Sequence, residues 1–190
     1  MRNNSAPFGA TQDTEPHLRV WRASDAPALI DAYRSSPELA VQLGSPDLAT
    51  DHLARIFIAD SLGRSDTHMN WAIVAESAAV GNVGISHIDR RHGTAWAYYW
   101  LAESARGRGL ATRALATATE CAFSAGLFRL ELGHRLNNPA SCGVATRAGF
   151  TVEGIQRQKL RYDHERFDVE LHARLASDEA PTVRALPLQN

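Results

Sequence analysis

The chain has 190 residues, of which 44% are hydrophobic and 22% are charged, and its formal net charge is −1. These values predict one globular domain, and they give no general argument for binding to nucleic acid or to an anionic membrane. No apolar run reaches the ~20 residues that a membrane-spanning helix needs. The two cysteines, Cys121 and Cys142, lack zinc-ligand spacing, so reduced side chains in a cytoplasmic protein are expected.

The N-terminal part predicts a tail, a short strand and helices. Residues 1–16 are polar and lack the apolar core of a signal peptide, so we expect a flexible tail before a domain over 17–175. Alternation and helix-capping residues predict a strand over 18–22 and helices over 26–34 and 51–62, with chain breaks at Pro37, Gly44 and Pro46.

Three strands are predicted in close succession over 69–75, 80–88 and 94–101. Short turn-like separators join them, so an antiparallel meander is expected. Gly81 and Gly84 lie within the middle strand, where glycine indicates a bulge or the close approach of another group.

A glycine-rich turn separates the third of these strands from a helix predicted over 110–126. Gly107 and Gly109 allow the backbone to curl, and the first N–H groups of the helix have no intrahelical acceptor. Arg106 and Arg108 add positive charge. The turn therefore predicts an anion site, and we expect it to bind a pyrophosphate.

The remaining elements complete a mixed sheet. A strand over 129–132 should run parallel to the strand before the turn, through a right-handed crossover. Asn138 caps a helix that extends to Ala148. A hairpin over 150–161 and 167–175 follows, and residues 176–190 are expected to form a second flexible tail.

The turn also partly matches a dinucleotide fingerprint. Gly107 and Gly109 have the right spacing, and Glu131 lies about the expected distance further on. Thr112 replaces the third small residue, however, and a dinucleotide fold would start with this unit and continue with parallel units. The antiparallel strands that come first disfavour a nicotinamide or flavin cofactor.

The six residues from Arg106 to Ala111 match a signature of Arg or Gln, two residues, Gly, one residue, and Gly or Ala. With this signature the chain resembles the GNAT superfamily of N-acetyltransferases, and the RimJ/RimL type in particular. The resemblance covers roughly residues 18–175. Further support comes from the stretches Tyr99-Trp100-Leu101, Asn138-Pro139-Ala140-Ser141, Arg147-Ala148-Gly149-Phe150 and Glu153-Gly154.

The resemblance implies an α/β (α+β) fold with a mixed, mostly antiparallel sheet, a splayed parallel strand pair and flanking helices. It also implies acetyl-CoA as co-substrate, with the pantetheine arm between the splayed strands and an oxyanion donor among the backbone N–H groups near Leu101. The cofactor-binding residues it implies are Trp100, Leu101, Ala102, Arg106, Gly107, Arg108, Gly109, Leu110, Ala111, Asn138 and Ser141.

Catalytic groups are less well determined. The resemblance implies that Ser141 donates a proton to the leaving thiolate. Three side chains are candidates for the general base, namely Glu131, His134 and His87, and a water chain is the alternative because an α-amine has a pKa of only ~8. The eight histidines show no ligand pattern, so no metal is expected.

The sequence also leaves more than one class of acetyl acceptor to consider. The resemblance favours a protein or peptide N-terminal α-amine over a small amine such as an amino-sugar antibiotic, an amino acid or a polyamine. A non-catalytic acyl-CoA-binding module is the other alternative, because the last hairpin lacks the carboxylate that relatives often carry. Relatives are often dimers, which leaves a homodimer open.

Overall fold

We describe residues 15–162 and 164–189 from a computed structural model. Most of the predicted N-terminal tail, 1–16, lies outside the described residues. In chain order the elements are β1 (His17–Arg19), α1 (Ala26–Ser35), α2 (Pro37–Gln42), α3 (Asp51–Ser61), β2 (Met69–Ala75), β3 (Ala78–Asp89), β4 (Thr94–Leu101), α4 (Leu110–Ser124), β5 (Arg129–Arg135), α5 (Pro139–Arg147), β6 (Thr151–Tyr162) and β7 (Glu165–Leu175).

The strands form one seven-stranded sheet in the order β1-β2-β3-β4-β5-β7-β6. All neighbouring strands are antiparallel except β4 and β5, which are parallel. The predicted fold class, the meander of β2 to β4 and the parallel position of β5 are therefore confirmed. The final hairpin joins the sheet through β7, whose residues 169–175 pair with the whole of β5.

Successive side chains of a strand point to opposite faces of the sheet, and both faces carry apolar side chains. Helices therefore cover both faces. Trp71 and Ile73 of β2 pack into a core with α4 and α5. Ala72 and Val74, which point the opposite way, pack into a second core with α1, α2 and α3. The cleft described below opens between these two layers, where β4 and β5 pair over only a few residues.

Helix α2 differs from the sequence prediction, which placed a chain break at Pro37. The preceding residue, Ser36, has an extended backbone, and Pro37 occupies the first helical position. Proline is tolerated there because its missing N–H would have no intrahelical acceptor. The same proline that ends α1 therefore starts another helix.

The glycines of β3 mark a close approach of other groups, which was one of the two alternatives. A Cβ atom at Gly84 would clash with the side chains of Asn70 and Tyr98, and one at Gly81 would clash with the backbone of Trp100. The other alternative, a bulge, also applies beside Gly81, because the register of β3 against β2 shifts between Gly81 and Ala79. A second irregularity lies between Ser86 and Asp89.

Part of the predicted C-terminal tail packs against the domain. Leu186 is only 2% exposed, its N–H donates to Thr117 Oγ1 at 2.9 Å, and its carbonyl accepts from the same hydroxyl at 2.8 Å. Leu18 N donates to Pro187 O, and Gln189 N donates to Leu18 O, each at 2.8 Å. Although residues 176–190 are mostly polar, the segment contains one buried leucine and forms backbone hydrogen bonds with the edge strand β1.

Candidate active site

The parallel pair β4 and β5 separates soon after it forms. Its register covers only Thr94 to Trp96 on β4 and Arg129 to Glu131 on β5. Beyond these residues the two strands diverge, and two adjoining cavities occupy the gap. The first, of about 420 Å³, lies between the diverging strands, and the second, of about 330 Å³, extends from the end of β4 to the start of α4. Tyr99, Asn138 and Ser141 line both.

The glycine turn forms the floor of the second cavity. Gly107 and Gly109 have φ of 75° and 73°, in the left-handed region that side chains with a Cβ disfavour. Gly109 is also the N-cap of α4 and carries no capping side chain. The N–H groups of the first helical turn are therefore left for a ligand, and the helix dipole favours an anion there.

Two buried polar atoms beside this turn have no hydrogen-bond partner within the described part of the chain, Thr112 Oγ1 and Trp100 Nε1. Both residues line the second cavity. An unpaired buried polar group costs free energy, so such atoms are expected where a ligand supplies the partner. The cavity thus offers polar groups that fit a phosphorylated cofactor.

The two arginines of the turn differ. Arg106 lines the second cavity, and its guanidinium donates to Leu101 O at 3.3 Å and Ser36 Oγ at 2.9 Å. Arg108 instead forms an exposed ion pair of 2.8 Å with Glu76. Among the described residues, the lining of the two cavities includes neither Arg108 nor Ala102.

The end of β4 directs backbone groups into the gap. Ala102 N donates to Val80 O of β3 at 2.8 Å. Because N–H groups alternate in direction along a strand, the N–H groups of Leu101 and Tyr99 point away from β3, toward the side where β5 has separated. This edge can pair with an extended ligand.

Helix α5 begins at the same gap. Asn138 Oδ1 accepts from Ser141 N at 3.1 Å, which confirms the predicted cap, and Ser141 O accepts from Tyr99 OH at 3.2 Å. These contacts use backbone atoms of Ser141, so its hydroxyl is not needed to hold the helix. Burial raises the pKa of Tyr99 more than its hydrogen bond lowers it, which keeps the phenol protonated at neutral pH.

The candidate bases are placed unequally. Glu131 does not line either cavity, and it pairs with Arg129 at 2.7 Å. His87 is also absent from both linings. His134 lines the first cavity, but its Nδ1 lies 3.0 Å from Arg135 O and its Nε2 lies 3.0 Å from His172 Nε2. Both ring nitrogens of His134 are thus engaged with the protein.

The family model for the acetyltransferase (GNAT) domain matches residues 17–151. The chain belongs to the GNAT acetyltransferase family. A ribosomal-protein-serine acetyltransferase of Escherichia coli (strain K12) is 34% identical over 110 residues, which is 57% of this chain and 62% of that relative's length.

Solved structures agree with this family. RimJ of Mycobacterium smegmatis, in complex with a CoA disulfide, superposes with a TM-score of 0.72 at 26% identity, covering 86% of this chain and 84% of that one. RimL, a ribosomal L7/L12 α-N-protein acetyltransferase in complex with CoA, has a TM-score of 0.75 at 24% identity, covering 85% of this chain and 94% of that one. The predicted RimJ/RimL-type resemblance is confirmed.

The GNAT cleft of this chain also contains residues that the sequence did not indicate. Helix α2 contributes Glu38 and Gln42 to both cavities, and the only local sign of it is a proline that suits a first helical position. Behind His134, the side chains of Cys142, Glu170 and His172 come together. The spacing of Glu170 and His172, two residues apart on one strand face, is their only local signal.

The carboxyl group of Glu170 illustrates the electrostatics behind the cleft. Burial acts to raise its pKa, but hydrogen bonds with His172 and Cys142 and the nearby His134 outweigh that effect, so the pKa lies below its usual value. Glu170 is therefore a carboxylate at neutral pH.

No helix within residues 15–162 and 164–189 is long and apolar enough to cross a membrane.

Proposed function

We propose that residues 17–175 transfer an acetyl group from acetyl-CoA to the N-terminal α-amine of a protein or peptide in the cytoplasm. One observation carries this proposal: the gap between β4 and β5 adjoins the uncapped glycine turn that starts α4. The CoA complexes of RimL and RimJ, and the ribosomal-protein-serine activity named for the Escherichia coli relative, support the same cofactor and acceptor class.

The turn would hold the pyrophosphate of acetyl-CoA. The backbone N–H groups from Gly107 to Thr112 provide donors, the Thr112 hydroxyl gains a partner, and Arg106 provides positive charge at the cavity wall. Arg108 can contribute only after leaving Glu76. The pantetheine arm would run along β4 toward Ser141, with the Asn138 side chain beside it.

Acetyl-CoA supplies a thioester, whose carbon–sulfur bond breaks as a carbon–nitrogen bond forms. The inward N–H of Leu101 or Tyr99 is suited to stabilise the negative charge that develops on the carbonyl oxygen. Ser141 lines both cavities, and a serine hydroxyl there is suited to protonate the departing sulfur. Its position depends on Asn138 and Tyr99.

Deprotonation of the amine would use water. Neither nitrogen of His134 is available in this arrangement, and Glu131 lies outside both cavities. An α-amine has a pKa of ~8, so roughly a tenth of it is neutral at pH 7 without help. An acceptor of this kind therefore reduces the need for a dedicated base, whereas the side-chain amine of lysine does not.

The lining of the first cavity favours a peptide acceptor. Among the described residues, its lining combines one carboxylate, from Glu38, with Arg135 at 3.9 Å and with aromatic and aliphatic side chains such as Tyr98 and Leu160. A polycationic small amine would be better matched by several carboxylates. A single carboxylate suits one ammonium group, and the apolar wall suits the first side chains of a peptide.

The test is thiol release from acetyl-CoA with three acceptor classes: peptides with a free N-terminus, the same peptides with a blocked N-terminus and an internal lysine, and small polyamines or aminoglycosides. We expect release, and a gain of one acetyl group by mass, only with free N-termini. Turnover confined to small amines would refute the acceptor class. CoA binding with no turnover on any acceptor would refute catalysis.

A substitution tests the role of the serine in the same assay. Ser141→Ala keeps the backbone contacts of the residue, so we expect unchanged thermal stability and a kcat lower by ~10²–10⁴-fold, as for loss of a positioned proton donor. The control is Ser124→Ala, an exposed serine at the end of α4, which should behave as the unmodified protein. An unaltered kcat for Ser141→Ala would exclude the proton-donor role.

A further inference from the structure

Four side chains with metal-binding atoms meet behind the first cavity. His134 comes from β5, Cys142 from α5, and Glu170 and His172 from one face of β7. We call them the His–Cys–Glu cluster. Each side chain offers one metal-binding atom, and these four atoms all lie within 4.8 Å of one another.

Several metal-binding atoms of the cluster lie within hydrogen-bonding distance of one another. His134 Nε2 and His172 Nε2 are 3.0 Å apart, and Glu170 Oε1 lies 2.9 Å from His172 Nε2. Glu170 Oε1 is also 3.4 Å from His134 Nε2 and 3.5 Å from Cys142 Sγ. A tetrahedral zinc ion, with bonds of about 2.0–2.3 Å, separates its ligand atoms by roughly 3.3–3.6 Å. Small side-chain shifts would bring the four atoms to that geometry.

The outer nitrogens of both imidazoles face backbone carbonyls. His134 Nδ1 lies 3.0 Å from Arg135 O, and His172 Nδ1 lies 3.5 Å from Phe150 O. A carbonyl can only accept, so the 3.0 Å contact places a proton on Nδ1 of His134, and a proton on Nδ1 of His172 suits its longer contact. Without a metal ion, His172 Nε2 carries a proton and donates it to Glu170 Oε1 or His134 Nε2. With a metal ion, both rings carry their protons on Nδ1 and direct their Nε2 lone pairs at the ion. This is the orientation that metal-binding histidines usually have, fixed by a hydrogen bond from the second nitrogen.

Both histidines of the cluster are buried. His172 is 1% exposed and His134 is 7% exposed, so water cannot readily satisfy their inner nitrogens. In the metal-free cluster, the proton on His172 Nε2 lies near two acceptors, Glu170 Oε1 and His134 Nε2. One proton serves one contact, whereas a divalent ion serves all four ligand atoms at once.

We propose that the His–Cys–Glu cluster binds a divalent transition-metal ion, with zinc as the preferred ion. Two imidazoles, a thiolate and a carboxylate are all ligands of zinc, and thiolate with imidazole disfavours magnesium and calcium. Four protein ligands leave no open position, which is typical of a structural site. The sequence prediction of no metal considered spacing along the chain, and these ligands come from three separate elements.

The bound ion would have a mechanical effect on the cleft. Cys142 is adjacent to Ser141, and the ion would tie this first turn of α5 to β5 and β7. It would thereby fix the Ser141 end of the gap without entering either cavity as a reactant. The proposal depends only on the cluster geometry and stands or falls independently of the acetyl acceptor.

The experiment measures metal binding directly. Protein dialysed against a chelator is titrated with Co²⁺, whose visible bands report a tetrahedral site and whose thiolate-to-cobalt band reports sulfur coordination, and Zn²⁺ is then added in competition. We expect one equivalent to bind, the thiolate band to be present, and Zn²⁺ to displace Co²⁺. Zn²⁺ should also raise the thermal midpoint of the unmodified protein.

Matched variants assign the ligands. Cys142→Ser should abolish the thiolate band, whereas Cys121→Ser, which changes the other free cysteine, should leave it unchanged. Glu170→Gln keeps the side-chain size and should weaken Zn²⁺ binding by at least ~10–100-fold, since loss of an outer partner alone costs that much. Absence of tetrahedral bands, or a spectrum indifferent to Cys142→Ser, would overturn the proposal and leave a metal-free hydrogen-bonded network.

Discussion

Glycines at the two ends of α4 share one backbone conformation but have different surroundings. Gly109, before the helix, has φ of 73°, and Gly126, after it, has φ of 88°. A Cβ atom at either position would meet no other atom within 4 Å. Steric crowding in the protein alone therefore explains neither glycine. They differ because Gly109 lines the second cavity and Gly126 does not.

This difference separates backbone strain from ligand binding. Gly109→Val and Gly126→Val should each lower the free energy of unfolding by roughly 1–2 kcal/mol, the cost of a left-handed conformation with a Cβ atom. Only Gly109→Val should also weaken CoA binding, by about 10-fold or more, because hydrogen bonds to a charged group are lost. Calorimetric titration with CoA and thermal unfolding measure the two effects. Equal CoA affinities for both variants would place the pyrophosphate elsewhere.

Asp25 and Arg19 form a buried ion pair that attaches β1 to the start of α1. Both carboxylate oxygens accept from the Arg19 guanidinium, at 2.7 and 2.8 Å, and Arg22 N donates to Asp25 Oδ2 at 2.9 Å. Burial acts to raise the pKa of Asp25, but these hydrogen bonds and the positive charge outweigh it, so the pKa lies below the usual value.

The sign of the pH effect follows from this lowered pKa. The pair contributes its full stability above the unfolded-state pKa of ~3.9, and the contribution is lost as pH falls from there through the folded-state pKa. Asp25→Asn should flatten the acid side of the stability curve. At neutral pH it should cost about 3–5 kcal/mol, because Arg19 stays buried without its partner. Denaturant unfolding between pH 2 and 7 measures both effects.

A surface pair provides the control. Asp51 and Arg55 are four residues apart on α3, and their side chains are about half exposed. Asp51→Asn should change the free energy of unfolding by no more than ~1 kcal/mol, because exposed pairs are screened by solvent. A comparable loss in both variants would mean that burial does not distinguish the Asp25 pair.

At the scale of elements, the segment around Leu186 acts as an extra edge of the sheet. The two leucines of this segment differ in burial. Leu186 is 2% exposed and packs in the main core, whereas Leu188 is 45% exposed. Leu186→Ala should cost about 2–5 kcal/mol of unfolding free energy, as for other buried leucines. Leu188→Ala should cost at most ~0.5 kcal/mol. Thermal unfolding compares them, and similar midpoints would contradict the anchoring role of Leu186.

At the scale of the whole molecule, local patterns predict most of the sheet and half of the cleft. Strands β2 and β4 have the predicted bounds, since alternation and turn residues are local signals. The glycine turn and the Asn138 cap are equally local, because each depends on a few consecutive residues. These elements form the wall of the second cavity, where the sequence prediction is most complete.

The first cavity and its surroundings depend on distant contacts that local patterns do not contain. His134 and His172 are 38 residues apart, and they meet only because β7 inserts beside β5. Pro37 has two local meanings, chain break and helix start, and tertiary packing of Leu39 selects the second. The acceptor side therefore has no sequence code comparable to the glycine turn.

The pairing of β1 with residues near Leu188 has a kinetic consequence. Glu15 and Arg184, which form an ion pair beside this edge, are 169 residues apart along the chain. Contacts at such separation close a very long loop, whose entropy must be lost before they stabilise anything. We therefore expect this outer edge to form last in refolding and to open first in hydrogen exchange, well before the meander of β2 to β4.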